Sequence, residues 1–343
     1  MRYKRLGNSG LLVSELCLGT NTFGGADSPF WSTLGGLRQP DVDRIVGHAV
    51  DSGINFLDTA DVYAAGESEQ CVGQAIRNLA IDRADIVIAT KAGGRMGPGP
   101  NQLGASRAHL LRSVHDSLRR LNVDYLDLFM IHYFDPATPL EESMETLDGL
   151  VRAGKIRYLG CSNFAAWQVM KANGIAALGS LARLEVIEAN WSAATRGIER
   201  EIAPMARDQK LGILAWGPLL GGLLSGKYSR DGGGAGEGRS GGNVPPVVDR
   251  DKLFDVVEAI GVVAAEVGAT SAQVALAWLL RQEPITSVLF GARSVAQVDD
   301  NLGAAKVVLS DEQAAAINAV GDLTMDYGPW AVRGSSSARD SYV

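Results

Sequence analysis

Three short apolar runs in the first half of the chain each finish on a titratable residue: INFLD on Asp58, IVIATK on Lys91 and LDLFMIH on His132. Tyr63 follows Asp58 on the next loop. A phenol with an ordinary pKa of about 10 is a weak acid at neutral pH. An adjacent ammonium favours the phenolate, so Lys91 is expected to lower the Tyr63 pKa. A partly buried ammonium needs a counter-charge, which Asp58 can supply. A neutral imidazole at His132 can donate a hydrogen bond to a substrate oxygen and orient it. The four together suit hydride addition to a carbonyl, with Tyr63 as proton donor. A lone strand-terminal Asp, Lys or His is usually a cap or a surface charge, whereas three on neighbouring strands point to a site. The other histidines, His48, His109 and His115, fall in helical segments and are better structural candidates.

These residues can meet only if the runs that carry them lie side by side, and the rest of the chain supplies that frame. β-rich runs recur at 15–19, 54–58, 86–91, 126–132, 157–162, 184–190, 212–216 and 287–291. Amphipathic stretches with helical character separate them, at 41–52, 67–79, 107–121, 140–153, 165–178, 201–209 and 253–282, the last with a break near Gly268, and 294–303 follows the final strand. Alternation of strand and helix implies a parallel sheet, and eight units close into a barrel. The expected fold class is therefore α/β, a (β/α)8 barrel, preceded by a β-hairpin turning at Gly7-Asn8-Ser9-Gly10. A doubly wound sheet would want a Gly-x-Gly-x-x-Gly turn after the first strand, which is absent. The reading assigns residues 1–322 to one barrel domain, with a polar, Gly-rich loop at 229–246, and residues 323–343 to a C-terminal tail. In such a barrel the site lies at the carboxyl ends of the strands, where the four residues sit.

Composition agrees with a core of that size: 46% of the 343 residues are hydrophobic and 21% charged. A formal charge of -7 leaves no broad positive field for a phosphate backbone, so nucleic acid is excluded as an expected partner. The opening MRYKRLGNSG lacks the apolar region of a signal peptide and no apolar run is long enough to span a bilayer, so the expected location is cytoplasmic, with no membrane contact. Cys17, Cys71 and Cys161 form no C-x-x-C pair or metal-ligand spacing, and no metal is expected.

The segments GINFLDTADVY, IVIATK, DLFMIH, GKIRYLGCSNF, AWGPLLGGLLSGKY and FGARSVAQVDDNLGA, in this order and in register, resemble the aldo-keto reductase superfamily over roughly residues 3–320. The resemblance implies that Asp58, Tyr63, Lys91 and His132 are the catalytic tetrad and that NADPH lies extended along the later strands. It places the nicotinamide carboxamide near Ser162 and Asn163, with Glu188 beside it, counts Thr20 among the cofactor-binding residues, and sets Trp216 in the position of the family's stacking tyrosine. Pro218, Leu219, Gly221, Leu223 and Lys227 fall in the loop over the pyrophosphate, where glycines permit close backbone approach. Gly291, Arg293, Gln297 and Asn301 fall at the adenosine end, where a planar guanidinium can hold a 2′-phosphate and so favour NADPH over NADH. Two departures stand out: Glu188 where the family usually has glutamine, and Trp191-Ser192 where it has a tyrosine-asparagine pair. An ionised glutamate can only accept hydrogen bonds and would favour the oxidised cofactor, unless burial neutralises it or Arg196 pairs with it.

Substrate contacts are expected from Phe23, Phe30 and Trp31 after the first strand, and from Tyr327 or Trp330 in the tail. Such aromatics suit a moderately apolar carbonyl compound. The leading expectation is an NADPH-dependent reductase of aldehydes or ketones, reversible with alcohols. The alternative is a cofactor-binding regulatory subunit with slow turnover, similar to the channel-associated β subunits of the same superfamily. A metal-assisted hydrolase would need clustered histidines and carboxylates at the strand ends, and only His132 qualifies. The sequence leaves the oligomeric state open.

Overall fold

The computed structural model describes residues 1–231, 248–321 and 323. Tyr3–Arg5 (β1) and Leu12–Ser14 (β2) form an antiparallel hairpin. Eight parallel strands follow: Leu16–Gly19 (β3), Phe56–Asp58 (β4), Val87–Ala92 (β5), Leu126–Ile131 (β6), Ile156–Ser162 (β7), Leu184–Asn190 (β8), Gly212–Trp216 (β9) and Ile285–Gly291 (β10). They close into a barrel in which β10 pairs with both β3 and β9. The fold is thus a (β/α)8 TIM barrel with an N-terminal hairpin. Strands β5 and β6 are buried at every position, as expected of parallel strands covered by helices on one side and a filled interior on the other.

The outer layer comprises Trp31–Leu34 (α1), Gln39–Asp51 (α2), Glu67–Asn78 (α3), Arg107–Leu121 (α4), Leu140–Arg152 (α5), Ala166–Gly179 (α6), Ile202–Gln209 (α7), Arg250–Val267 (α8), Ser271–Leu280 (α9), Val295–Gly303 (α10) and Asp311–Gly321 (α11). Their ends carry local signals. Ser106 caps α4 by accepting from the His109 amide, and Asn122 ends it in the left-handed region at φ 55°. The expected break near Gly268 is a left-handed stop at φ 65°, followed by a Thr270–Gln273 capping box that starts α9. Two helices were not anticipated. The short α1 lies in an aromatic-rich loop, and α11, DEQAAAINAVG, buries only Ala314, Ile317 and Gly321, too few for a clear stripe, yet packs against α8.

The hairpin closes the amino-terminal end of the barrel. Leu6 and Val13 are fully buried there and join Phe56, Leu128, Met130 and Val186 inside the barrel. Burial of such a side chain contributes about 1.5–3 kcal/mol. Gly7, at φ +59°, lets the turn lie against the starts of β8 and β9: a Cβ there would fall 2.1 Å from the Glu185 carbonyl oxygen. Lys4 Nζ donates to the Ile285 carbonyl at the start of β10, and Tyr3 donates from its hydroxyl to the Gly53 carbonyl. Among the described residues no helix is long and apolar enough to cross a membrane. Most of the Gly-rich stretch at 229–246, and Tyr327 and Trp330 of the tail, lie outside the described residues.

Candidate active site

Barrel closure brings the strand-terminal residues together at the carboxyl end. Asp58 is the last residue of β4, Lys91 lies in β5, and His132 comes one residue after β6 ends. Lys91 Nζ donates to Asp58 Oδ1 at 2.6 Å and to the Thr59 carbonyl at 3.1 Å, and it is fully buried. A second carboxylate also reaches it: Glu188 Oε2, from β8 across the barrel, lies 3.2 Å away. Tyr63 opens a short 3₁₀ turn whose next two residues, Ala64 and Ala65, both adopt left-handed dihedrals, an uncommon and costly conformation for residues other than glycine. Its ring faces the Lys91 ammonium at 5.4 Å and meets the His132 imidazole edge-on at 5.9 Å. Tyr133, the residue after His132, stacks on that imidazole at 4.4 Å.

The electrostatics follow from burial. Two carboxylates overcome the desolvation that would otherwise depress Lys91 and hold its ammonium well above the usual range. Burial pushes Asp58 up against the pull of Lys91. Burial and the neighbouring Asp58 charge push Glu188 up to about 8. Burial and the Lys91 charge push His132 down to about 3, so the imidazole is neutral and its unpartnered Nδ1 is free to act as donor or acceptor. The expected lowering of the Tyr63 pKa is not found. Lys91 does pull it down, but burial outweighs that pull and the Asp58 and Glu188 charges add to burial, so the phenol sits above its ordinary value. Behind the site, Asp61 is fully buried, and neither of its oxygens has a hydrogen-bond partner among the described residues. Burial and the nearby Glu69 charge raise it to about 8.

A cleft of about 930 Å³ starts at Tyr63 and His132 and runs over β8, β9 and β10 to α10, at the upper end of the range for ligand sites and suited to an extended molecule. Its lining includes Thr20, Asn163, Glu188, Trp216, Pro218, Leu219, Gly221, Lys227, Gly291, Arg293, Gln297 and Asn301 from the expected cofactor set, with Asn21, Thr22 and Asn190 in addition. Asn163, at φ 58°, is fixed three ways: its amide nitrogen donates to the His132 carbonyl and to Ser162 Oγ, and its oxygen accepts from Trp216 Nε1 at 3.1 Å. Gly217 has a positive φ, and a Cβ there would meet Asn190 Nδ2 at 2.7 Å. Gly221 and Gly222 continue the left-handed run, giving a backbone surface without side chains. At the far end the Arg293 guanidinium is exposed and forms no ion pair among the described residues. A neutral imidazole and a phenol at one end, with Lys227 and Arg293 toward the other, fit a dinucleotide that carries its reactive ring near Tyr63 and its phosphates near the cations.

Several expectations need correction. Phe23 is fully buried in the core between strands and helices and pairs by backbone with Leu37, so it does not face substrate. Leu223 points into the same core rather than over the pyrophosphate loop. Ser162 is buried and its hydroxyl receives the Asn163 amide, so it braces Asn163 and does not line the cleft. Trp31 is half-buried with its ring 6.2 Å from that of Tyr63, beside the cleft rather than in its wall. Arg196 pairs with Glu199, leaving Glu188 to Lys91. Trp330 lies outside the described residues. Tyr133 was missed, although its place directly after a strand-terminal histidine was the available signal.

An α/β barrel with a lysine-centred charge cluster, a phenol and an imidazole at the carboxyl ends of its strands, opening into an extended cleft, has the groups to transfer a proton to a bound small molecule. The comparison with known proteins makes this specific: the model of the aldo/keto reductase family matches residues 15–322, and the chain belongs to that family. Relatives include an uncharacterized oxidoreductase, YrpG, of Bacillus subtilis, 34% identical over 91% of this chain and 93% of that protein. A probable voltage-gated potassium channel subunit beta of Arabidopsis thaliana is 35% identical over 90% of this chain and 92% of its own. Norsolorinic acid reductase B of Aspergillus parasiticus is 34% identical, covering 92% and 83%.

Proposed function

We propose that the protein reduces aldehydes or ketones to alcohols, reversibly, with NADPH as cofactor and Tyr63 as proton donor. The observation that carries this reading is the meeting of Tyr63 and His132, above the Lys91–Asp58 pair, at one end of a cleft with exposed cations at the other. Bound in that cleft, the reduced nicotinamide would supply the hydride. Neutral His132 donates a hydrogen bond to the carbonyl oxygen and orients it, and Tyr63 passes its proton to the same oxygen. Lys91 stabilises the resulting phenolate, and Asp58 holds Lys91 in place. Asn163 and Asn190 offer amides to the carboxamide, Trp216 offers a ring face, and Arg293 takes the 2′-phosphate. Tyr133, half exposed, and Trp31 give the mouth an apolar rim for the substrate.

The test is Tyr63→Phe. Carbonyl reduction followed by NADPH absorbance should fall by roughly 10²-fold or more, while NADPH affinity stays near wild type because the ring that lines the cleft is kept and only its hydroxyl is lost. Lost cofactor binding in that variant would contradict the assignment. The resemblance to a channel β subunit supports a second reading, a cofactor-binding regulatory subunit. Steady multiple turnover on a carbonyl panel favours the enzyme, whereas a single slow turnover with the cofactor retained favours the subunit.

A further inference from the structure

Glu188 has surroundings that the glutamine usual at this position would not need. It lines the cleft, is 3% exposed, and shares with Asp58 a single ammonium, that of Lys91. Among the described residues Asp58 Oδ2 and Glu188 Oε2 have no hydrogen-bond partner, although Glu188 Oε2 lies 3.2 Å from the Lys91 nitrogen, and each carboxyl acts on the charge of the other. Fully ionised, the three groups would carry an uncompensated negative charge out of water. One proton held by the carboxyl pair removes that charge. Among the described residues the charged or titratable groups acting with Glu188 are Asp58 from β4, Lys91 from β5, Cys17 from β3 and Tyr63 from the turn after β4, while His132, held neutral, lines the same cleft. Its sheet neighbours, Ser162 on β7 and Leu214 on β9, bring no charge.

We propose that Glu188 is the proton store of the site: it is protonated while the cleft is empty or holds neutral, reduced nicotinamide, and ionises when the ring beside it is cationic. The proposal rests on the NADPH-dependent reading above. During reduction the Tyr63 hydroxyl gives its proton to the carbonyl oxygen and is left as a phenolate. Lys91 passes a proton to the phenolate oxygen and takes the one held by Glu188, so Tyr63 and Lys91 return to their starting forms and Glu188 ends as a carboxylate. Glu188 regains a proton from solvent when the cleft empties. When oxidised cofactor binds directly, the same proton goes to solvent. The free carboxyl near 8 lies in the range where this exchange is measurable at neutral pH.

The test is calorimetric titration of the whole protein with NADP⁺ and, separately, with NADPH at pH 7, in buffers of different ionisation enthalpy. Wild type should release close to one more proton per NADP⁺ than per NADPH. Taking the difference cancels protons from the 2′-phosphate that both cofactors carry. By linkage, the NADP⁺ Kd should tighten by up to about tenfold per pH unit between roughly pH 6 and 8, relative to that of NADPH. Glu188→Gln should abolish both differences while still binding NADPH. Equal proton release for the two cofactors in wild type, or a difference that survives in Glu188→Gln, overturns the proposal alone. Failure of either cofactor to bind overturns the NADPH-dependent reading with it.

Discussion

Tyr63 is asked to donate a proton from surroundings that resist its ionisation, and among the described residues Lys91 is the group that eases the step. Lys91→Met should therefore lower carbonyl reduction by on the order of 10²-fold or more, and the alkaline limb of any residual activity should move to higher pH, since removing the cation lets burial and the carboxylates act unopposed. A pH profile of unchanged shape at a near-normal rate would remove Lys91 from the mechanism. At the other end of the cleft, Arg293→Ala should weaken NADPH binding by about 1.5–3 kcal/mol with little effect on NADH, as for the loss of a charged hydrogen bond. Equal loss for both would mean that Arg293 serves the fold or the shared adenosine. The catalytic residues were legible because each is a polar terminus of an apolar run, a pattern that sequence displays directly. The pairing of Glu188 with Lys91 was not, because β8 meets β4 and β5 only across the closed barrel. Nor were the inward aims of Phe23 and Leu223, since tertiary packing decides which way a loop hydrophobe points.

Among the elements, the hairpin is small and makes one of the tightest contacts. Gly7→Ala would place a Cβ 2.1 Å from the Glu185 carbonyl at a positive φ. It should destabilise the protein by about 2–4 kcal/mol, read as a lower denaturation midpoint, while the cleft, at the opposite end, keeps its cofactor affinity below the transition. A silent substitution would mean that the turn does not seat against β8 and β9. The strands were read from their apolar runs to within two residues at their starts, with β8 and β9 met at both ends, because a buried parallel strand is a continuous apolar run bounded by turns. The helix α11 escaped because its burial comes from alanine and one isoleucine, which leave a weak periodic signal.

For the molecule as a whole, the buried carboxyls link stability to pH. Asp61 has a folded pKa of about 8 against an ordinary value near 3.8. The folded state therefore keeps this proton after the unfolded chain has lost it, so stability declines as pH rises from about 4 to about 8 and is level above that. Asp61→Asn, which carries no charge to desolvate, should be more stable than wild type by a margin that grows across this window to several kcal/mol. Comparing the two melting curves pH by pH cancels the contributions of Asp58 and Glu188, and a margin independent of pH would show that Asp61 is not buried as an unpaired acid.

The sealed floor has a practical consequence. Met1 lies against Gly53 and the hairpin spans the starts of β8, β9 and β10, so the amino terminus leaves the barrel at the face opposite the cleft. An affinity handle, a surface tether or a fused partner joined there would extend away from the mouth, so the protein can be immobilised by its first residue with its cleft still open to solution.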